Sequence, residues 1–207
     1  MKKYIILYIL VFISYTLSGC TLISSSTINT QSMVLQPAVL TQDEEDIRKL
    51  LDLNPQAYIF DFQVDKPLQS ADISVYQLQN GNWELLMSDN NLFTQDLQGR
   101  FAFSFNPLNL EFQVSTQSKY SNGTSRFCVD TPKDFTPMAQ CSTALTTPTE
   151  IVYGKEIPLV LHVLSSKNSI VSYSIENFYT PEVYTRYDDE QVYAVTIMFH
   201  SRTNEEM

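Results

Sequence analysis

Three cysteines and two histidines are the residues of this 207-residue chain best equipped for chemistry, and their spacing gives them different roles. Cys20 stands alone, directly behind a short basic and then apolar head. A thiolate is a strong nucleophile, so Cys20 is the residue of this region open to covalent modification. Cys128 and Cys141 form an even pair once Cys20 is used, and they enclose Pro132 and Pro137 in a segment too broken for a regular strand. In an exported domain such a pair is expected to close a disulfide, worth about 3 kcal/mol for a loop of this size in the chain-entropy account. His162 and His200 lie in or beside apolar strand patterns, where a lone imidazole serves packing more often than metal binding. The sequence has no Gly-x-Ser-x-Gly elbow, no Ser-x-x-Lys pair, no His-Glu-x-x-His helix and no phosphate loop. No catalytic residue, metal site or cofactor is therefore assigned.

The head itself reads as an address. Met1-Lys2-Lys3 is basic, and Tyr4 to Leu17 is an apolar stretch. As a helix it would span about 21 Å, short of the roughly 30 Å hydrocarbon core of a bilayer. Leu17-Ser18-Gly19-Cys20 resembles the bacterial lipobox at all four positions. That resemblance implies a lipoprotein signal peptide over residues 1–19, cleavage before Cys20, and attachment of lipid to the Cys20 thiol. It implies a location in the bacterial cell envelope, facing away from the cytoplasm. With one membrane this is the outer leaflet of the plasma membrane. With two, Thr21 in place of an aspartate favours the outer membrane. Loss of Lys2 and Lys3 makes a net charge of −10 more negative still, which argues against nucleic acid as a partner. Two or more acyl chains, at about 0.8 kcal/mol per buried CH₂, hold a domain at a membrane, leaving an envelope protein or a glycan as the other partner to consider.

The elements behind the address follow from periodicity. Residues 20–40 are rich in Ser and Thr and read as a flexible tether, with a single domain over residues 41–207. Thr41-Gln42-Asp43-Glu44 is a capping box, and Ile47, Leu50 and Leu51 share one face of the short helix it opens. From Tyr58 the period changes to two. Tyr58, Phe60, Phe62 and Val64 alternate with other residues, as do Phe101, Phe103 and Phe105, then Leu110, Phe112 and Val114. Asn80-Gly81 predicts a hairpin turn before Trp83. Further strands are expected over residues 157–164, 170–175 and 192–199, and Asn122-Gly123-Thr124 reads as a turn. Seven to nine strands without strand–helix alternation predict an all-β, mainly antiparallel sandwich with one short N-terminal helix.

Over residues 42–116 the order of a short acidic helix, Ala57-Tyr58-Ile59-Phe60-Asp61-Phe62, Ile73-Ser74-Val75-Tyr76-Gln77-Leu78, Asn80-Gly81-Asn82-Trp83-Glu84 and Gln98-Gly99-Arg100-Phe101 resembles a group of small bacterial lipoproteins, many from Firmicutes. Their function is uncharacterised, and their domain resembles an immunoglobulin-like or C2-like sandwich. The chain is poorer in lysine than that group, and the resemblance carries no functional residue across. The recognition candidates come instead from the long connection over residues 176–191, where Tyr179, Tyr184, Arg186 and Tyr187 stand among both charges. Exposed tyrosines there would stack on sugar rings or pack on a protein, and Asp188-Asp189-Glu190 offers oxygen ligands for Ca²⁺. The alternative is a longer strand pair in which the tyrosines pack across strands and the acidic run is a solvated turn. If the segment is a recognition loop, losing Tyr184 and Tyr187 impairs binding and hardly affects stability.

The address is checked by feeding cells an alkyne fatty acid. The wild-type chain should take up the label, and Cys20→Ala should abolish it and leave the precursor uncleaved. A labelled Cys20→Ala chain would refute the lipoprotein reading.

Overall fold

The computed structural model describes residues 33–50, 57–106, 110–129, 135–184 and 190–201. Cys20, Arg186, Tyr187 and the acidic run 188–189 lie outside the described residues. Among the described residues there are eleven strands and one α-helix: β1 (Val34–Pro37), α1 (Gln42–Leu50), β2 (Tyr58–Gln63), β3 (Leu68–Gln79), β4 (Asn82–Leu92), β5 (Gln98–Asn106), β6 (Glu111–Ser118), β7 (Asn122–Cys128), β8 (Ala139–Ala144), β9 (Thr149–Glu150), β10 (Glu156–Ser165) and β11 (Glu190–Ser201). They form two sheets, ordered β7-β6-β5-β2-β1-β9 and β4-β3-β11-β10-β8, in which every pairing is antiparallel. This is the β-sandwich expected from the alternating pattern.

The alternating aromatics fill the space between the sheets. Phe60, Phe62, Phe101, Phe103, Phe105 and Phe112 from the first sheet meet Ile73, Val75, Leu159, Tyr193, Val195, Ile197 and Phe199 from the second in one buried cluster. The Asn80-Gly81 turn is found where expected, with φ of 51° and 81° at its two central residues, the left-handed pair that a two-residue hairpin requires. Another constraint lies at Gly99. A β-carbon there would stand 2.6 Å from Phe62 and 2.9 Å from Phe93, so only glycine lets the Phe93 ring enter the core edge-on to Phe62.

Three expectations are corrected. The tether does not run to residue 40: β1 lies within it, pairs with β2 and β9, and buries Leu35 completely. Asn122-Gly123-Thr124 opens β7 rather than forming a turn. Residues 170–175 are not a strand; they lead into two 3-10 helices, η1 (Ile175–Tyr179) and η2 (Pro181–Val183). Helix α1 forms with its capping box intact, Thr41 N–H donating to Glu44 Oε2 at 2.7 Å and Glu44 N–H to Thr41 Oγ1 at 3.3 Å. It buries no residue, however, and Leu50 is 84% exposed.

The reason for the segment over residues 170–184 is the second sheet. In β10 every residue after Glu156 is buried, and β11 is buried nearly throughout, so both faces of these strands are dry. The first sheet covers one face. On the other, Leu161, Val163, Val192 and Ala194 lie under Ile170, Tyr173, Ile175, Phe178 and Tyr184. Trp83 clamps this cover: its ring stacks on Phe178 at 5.3 Å, meets Tyr184 edge-on, and its indole N–H donates to the Phe178 carbonyl at 2.8 Å. Tyr184, expected as a recognition residue, is 1% exposed and packs on Tyr173 at 4.4 Å. It belongs to the core.

Truncating Tyr184 should therefore cost as much as truncating a core phenylalanine, about 3–5 kcal/mol. Its hydroxyl is buried without a hydrogen-bond partner among the described residues, so Tyr184→Phe should cost nothing or stabilise. Chemical denaturation of the chain from Gln31 onward, comparing Tyr184→Ala, Tyr184→Phe and Phe103→Ala, checks both. A Tyr184→Ala variant within about 1 kcal/mol of the parent would show that the cover contributes little to the fold.

Candidate functional site

The residues singled out by their chemistry are dispersed. Cys128 and Cys141 are free thiols, and the expected bridge is not formed. The pleat explains why. Phe127 points inward and stacks on Phe112, so Cys128 projects from the outer face of the first sheet. Cys141 pairs with Val163 under the cover, on the outer face of the second. The two thiols point away from one another on opposite sides of a sandwich about 10 Å thick, beyond the Cα separation a disulfide spans. Burial, and secondarily the nearby Glu190, pushes the Cys141 thiol pKa up.

His162 faces the core between the sheets, 4.5 Å from the Phe105 ring, with Nδ1 2.6 Å from Ser142 Oγ and Nε2 unpartnered. A hydroxyl beside an imidazole is the beginning of a nucleophile–base pair. Complete burial pushes this imidazole down to about 3, which makes it a weak base at neutral pH and a packing residue. His200 pairs with Asp72 at 2.8 Å. Among the described residues no three His, Cys, Asp or Glu side chains gather to hold a metal ion. Tyr179 is the recognition candidate that remains at the surface, 51% exposed, with its hydroxyl donating to the Glu156 carbonyl at 2.8 Å.

What the fold does assemble is a polar groove on the outer face of the first sheet. Where β2, β5 and β6 turn their aromatics inward, the residues between them point outward. Antiparallel register aligns these into two rows across the sheet. One runs Gln36, Asp61, Arg100, Gln117, and the other runs Val34, Gln63, Gln98. All of these but Arg100 line a groove of about 450 Å³, together with Ser118 and Lys119. It adjoins a second cavity of about 340 Å³ that shares Gln98 and Lys119 and adds Gln95, Asp96 and Tyr120.

Arg100 fixes the middle of the first row. Its guanidinium donates to both Asp61 oxygens, at 2.6 and 2.9 Å, and to Glu44 of the helix cap at 2.6 Å. The paired Asp61 raises the Arg100 pKa despite partial burial, and the cap bonds from Thr41, followed by Arg100, lower that of Glu44. Asp61 and Arg100 thus satisfy each other, whereas the Gln36, Gln63, Gln98 and Gln117 amides have no hydrogen-bond partner among the described residues. Each amide offers one acceptor and two donors to a ligand. The sequence carried a signal for three of these residues, since Gln63, Gln98 and Gln117 occupy the outward positions of alternating strands. Gln36 carries no such signal, because residues 20–40 have the composition of a tether.

These features define an antiparallel β-sandwich with one polar, grooved sheet face. Compared with protein-family models, with curated proteins and with solved structures, the chain matches none.

His162 makes stability depend on pH. Its unfolded value near 6.5 exceeds the folded value of about 3, so the unfolded chain binds the extra proton. Stability is complete above pH 6.5 and falls by about 1.4 kcal/mol per unit as pH drops toward 3. Denaturant titrations at pH 7 and pH 5 should differ by about 2 kcal/mol more for the parent than for His162→Leu. Equal pH dependence of the two would show that His162 is not buried and neutral.

Proposed function

We propose that this chain is a lipid-anchored, extracytoplasmic binding protein of the bacterial envelope, held through Cys20 and without a catalytic site, and that it binds an envelope glycan on the polar face of the first sheet. The observation that carries this is the pair of outward rows with four unpartnered glutamine amides in one groove. A sugar hydroxyl is both donor and acceptor, as is a primary amide, so the two match without any charge being buried. The exposed Tyr120 ring at the end of the groove adds an apolar face of the kind on which a sugar packs. Of the recognition candidates in residues 176–191, Tyr184 is consumed by the core and Tyr179 stays at the surface, while Arg186 and Tyr187 lie outside the described residues. The lipobox resemblance at Leu17-Ser18-Gly19-Cys20 supports the address, and the six side chains of the two rows that line the groove support the binding reading.

An array of bacterial envelope glycans, probed with the chain from Gln31 onward, tests this. Glycans that bind the parent should bind Gln63→Ala/Gln98→Ala at least about tenfold more weakly, with the two forms equally stable within about 0.5 kcal/mol as expected for surface positions. Undiminished binding by the double variant would remove the groove from consideration.

A further inference from the structure

We propose that the end of the groove at the β6–β7 turn is a subsite for a singly charged oxyanion, a carboxylate or a phosphodiester, held by the Lys119 ammonium, so that the glycan taken there is an acidic one. This deepens the glycan reading of the groove and rests on it. Two of the residues that line the groove carry charge, Asp61 and Lys119. Asp61 is consumed by Arg100, which donates to both of its oxygens and to Glu44 as well. Lys119 makes no ion pair with any described residue. Of the charges lining the groove, the one left unpaired is therefore positive.

The turn that carries Lys119 is built to present it. Ser118 N–H donates to the Ser121 carbonyl at 2.8 Å. The Ser118 hydroxyl donates to the same carbonyl at 3.1 Å and accepts the N–H groups of Tyr120 and Ser121 at 3.3 and 3.0 Å. One side chain thus ties the turn together from within, as serine does in tight turns, and no ligand is needed to shape it. The Tyr120 ring, 62% exposed, holds the Lys119 ammonium 5.0 Å from its centroid by a cation–π contact. Lys119 lines both the groove and the adjoining cavity, so this contact keeps an otherwise flexible cation where the two meet. A side chain ordered beforehand loses less freedom when a ligand arrives.

The chemistry of that cation sets the ligand. A lysine ammonium is a compact point charge with donors only, and it matches one negative charge. A phosphate monoester brings close to two charges and asks for a second cation, and Arg100 is already bound to two carboxylates. Asp96 lines the adjoining cavity, but its carboxylate oxygens are closed to solvent, so they reach neither Lys119 nor a ligand. The net charge of −10 repels an acidic glycan at a distance. Salt at physiological strength screens that repulsion beyond about 8 Å, which leaves the local ammonium to decide.

Calorimetry on the full chain in detergent, at physiological salt, tests the subsite in two arms. One compares a peptide-free tetrasaccharide of alternating N-acetylglucosamine and N-acetylmuramic acid with its methyl ester. The other compares a glucosylated glycerol phosphate oligomer with its methyl triester. In at least one arm the charged form should bind about fivefold more tightly than the neutral one, and the arm that shows it tells carboxylate from phosphodiester. Lys119→Gln should erase the preference and keep the affinity for the neutral form, whereas Lys119→Arg should retain it; Lys119 is exposed, so neither change threatens the fold. Gln63→Ala/Gln98→Ala should weaken both forms alike and leave their ratio unchanged. Equal binding of charged and neutral forms in both arms would overturn the subsite and leave the glycan reading standing. Binding of none of the four would also overturn the subsite, and the glycan reading would then rest on the array alone. A preference that survives Lys119→Gln would put the anion elsewhere, and the proposal would fail.

Discussion

The second sheet places two strands, β10 and β11, side by side with apolar side chains on both faces, and the rest of the architecture answers to that. A sheet of this kind has no face it can show to water, so it needs a layer on each side. The first sheet supplies one with its alternating phenylalanines. The other comes from residues 170–184, which have no repeating period of their own because they are shaped by what they cover. Trp83 ties that layer down by joining the end of the β3–β4 hairpin to η1 with a ring stack and a hydrogen bond. The core is therefore three layers deep at β10 and β11 and two layers deep elsewhere.

The first sheet is built on the opposite principle, one face dry and one face wet. Its wet face keeps long polar side chains in register, and Arg100 is the fixed point among them. Its bidentate pairing with Asp61 locks the middle of one row, and its third contact fastens the N-terminus of helix α1 to the sheet. The helix has no buried residue, and this ion pair joins its first turn to β5. A paired, partly exposed guanidinium of this sort organises a surface more than it stabilises a fold. It leaves the flanking glutamines available, which is why a groove rather than a sealed layer lies there.

A third constraint arises where a turn is forced. At residues 91–98 the chain must pass from β4 of one sheet to β5 of the other while inserting Phe93 beneath Gly99, and three non-glycine residues adopt left-handed backbone to do so. The passage buries the Asp96 carboxylate without a hydrogen-bond partner among the described residues. Nothing in the local sequence announces this, because Thr94-Gln95-Asp96-Leu97 has the composition of an ordinary polar turn.

Period and chemistry decided much from the sequence alone. The alternation at Phe60, Phe62, Phe101, Phe103 and Phe105 fixed which residues are core, Asn80-Gly81 fixed a hairpin, and Thr41 with Glu44 fixed a helix start, each because the determinant is local. What the tertiary structure decided is everything that depends on which surface faces which. Tyr184 has the composition of a binding residue and becomes core because a doubly apolar sheet lies beneath it. Cys128 and Cys141 are close in sequence but project from opposite sides of the sandwich, because the pleat turns each outward from a different sheet. Gln36 sits in a row with Asp61 only because β1 pairs with β2, and that pairing brings together residues about 25 apart in a chain whose linear order gives no sign of the contact.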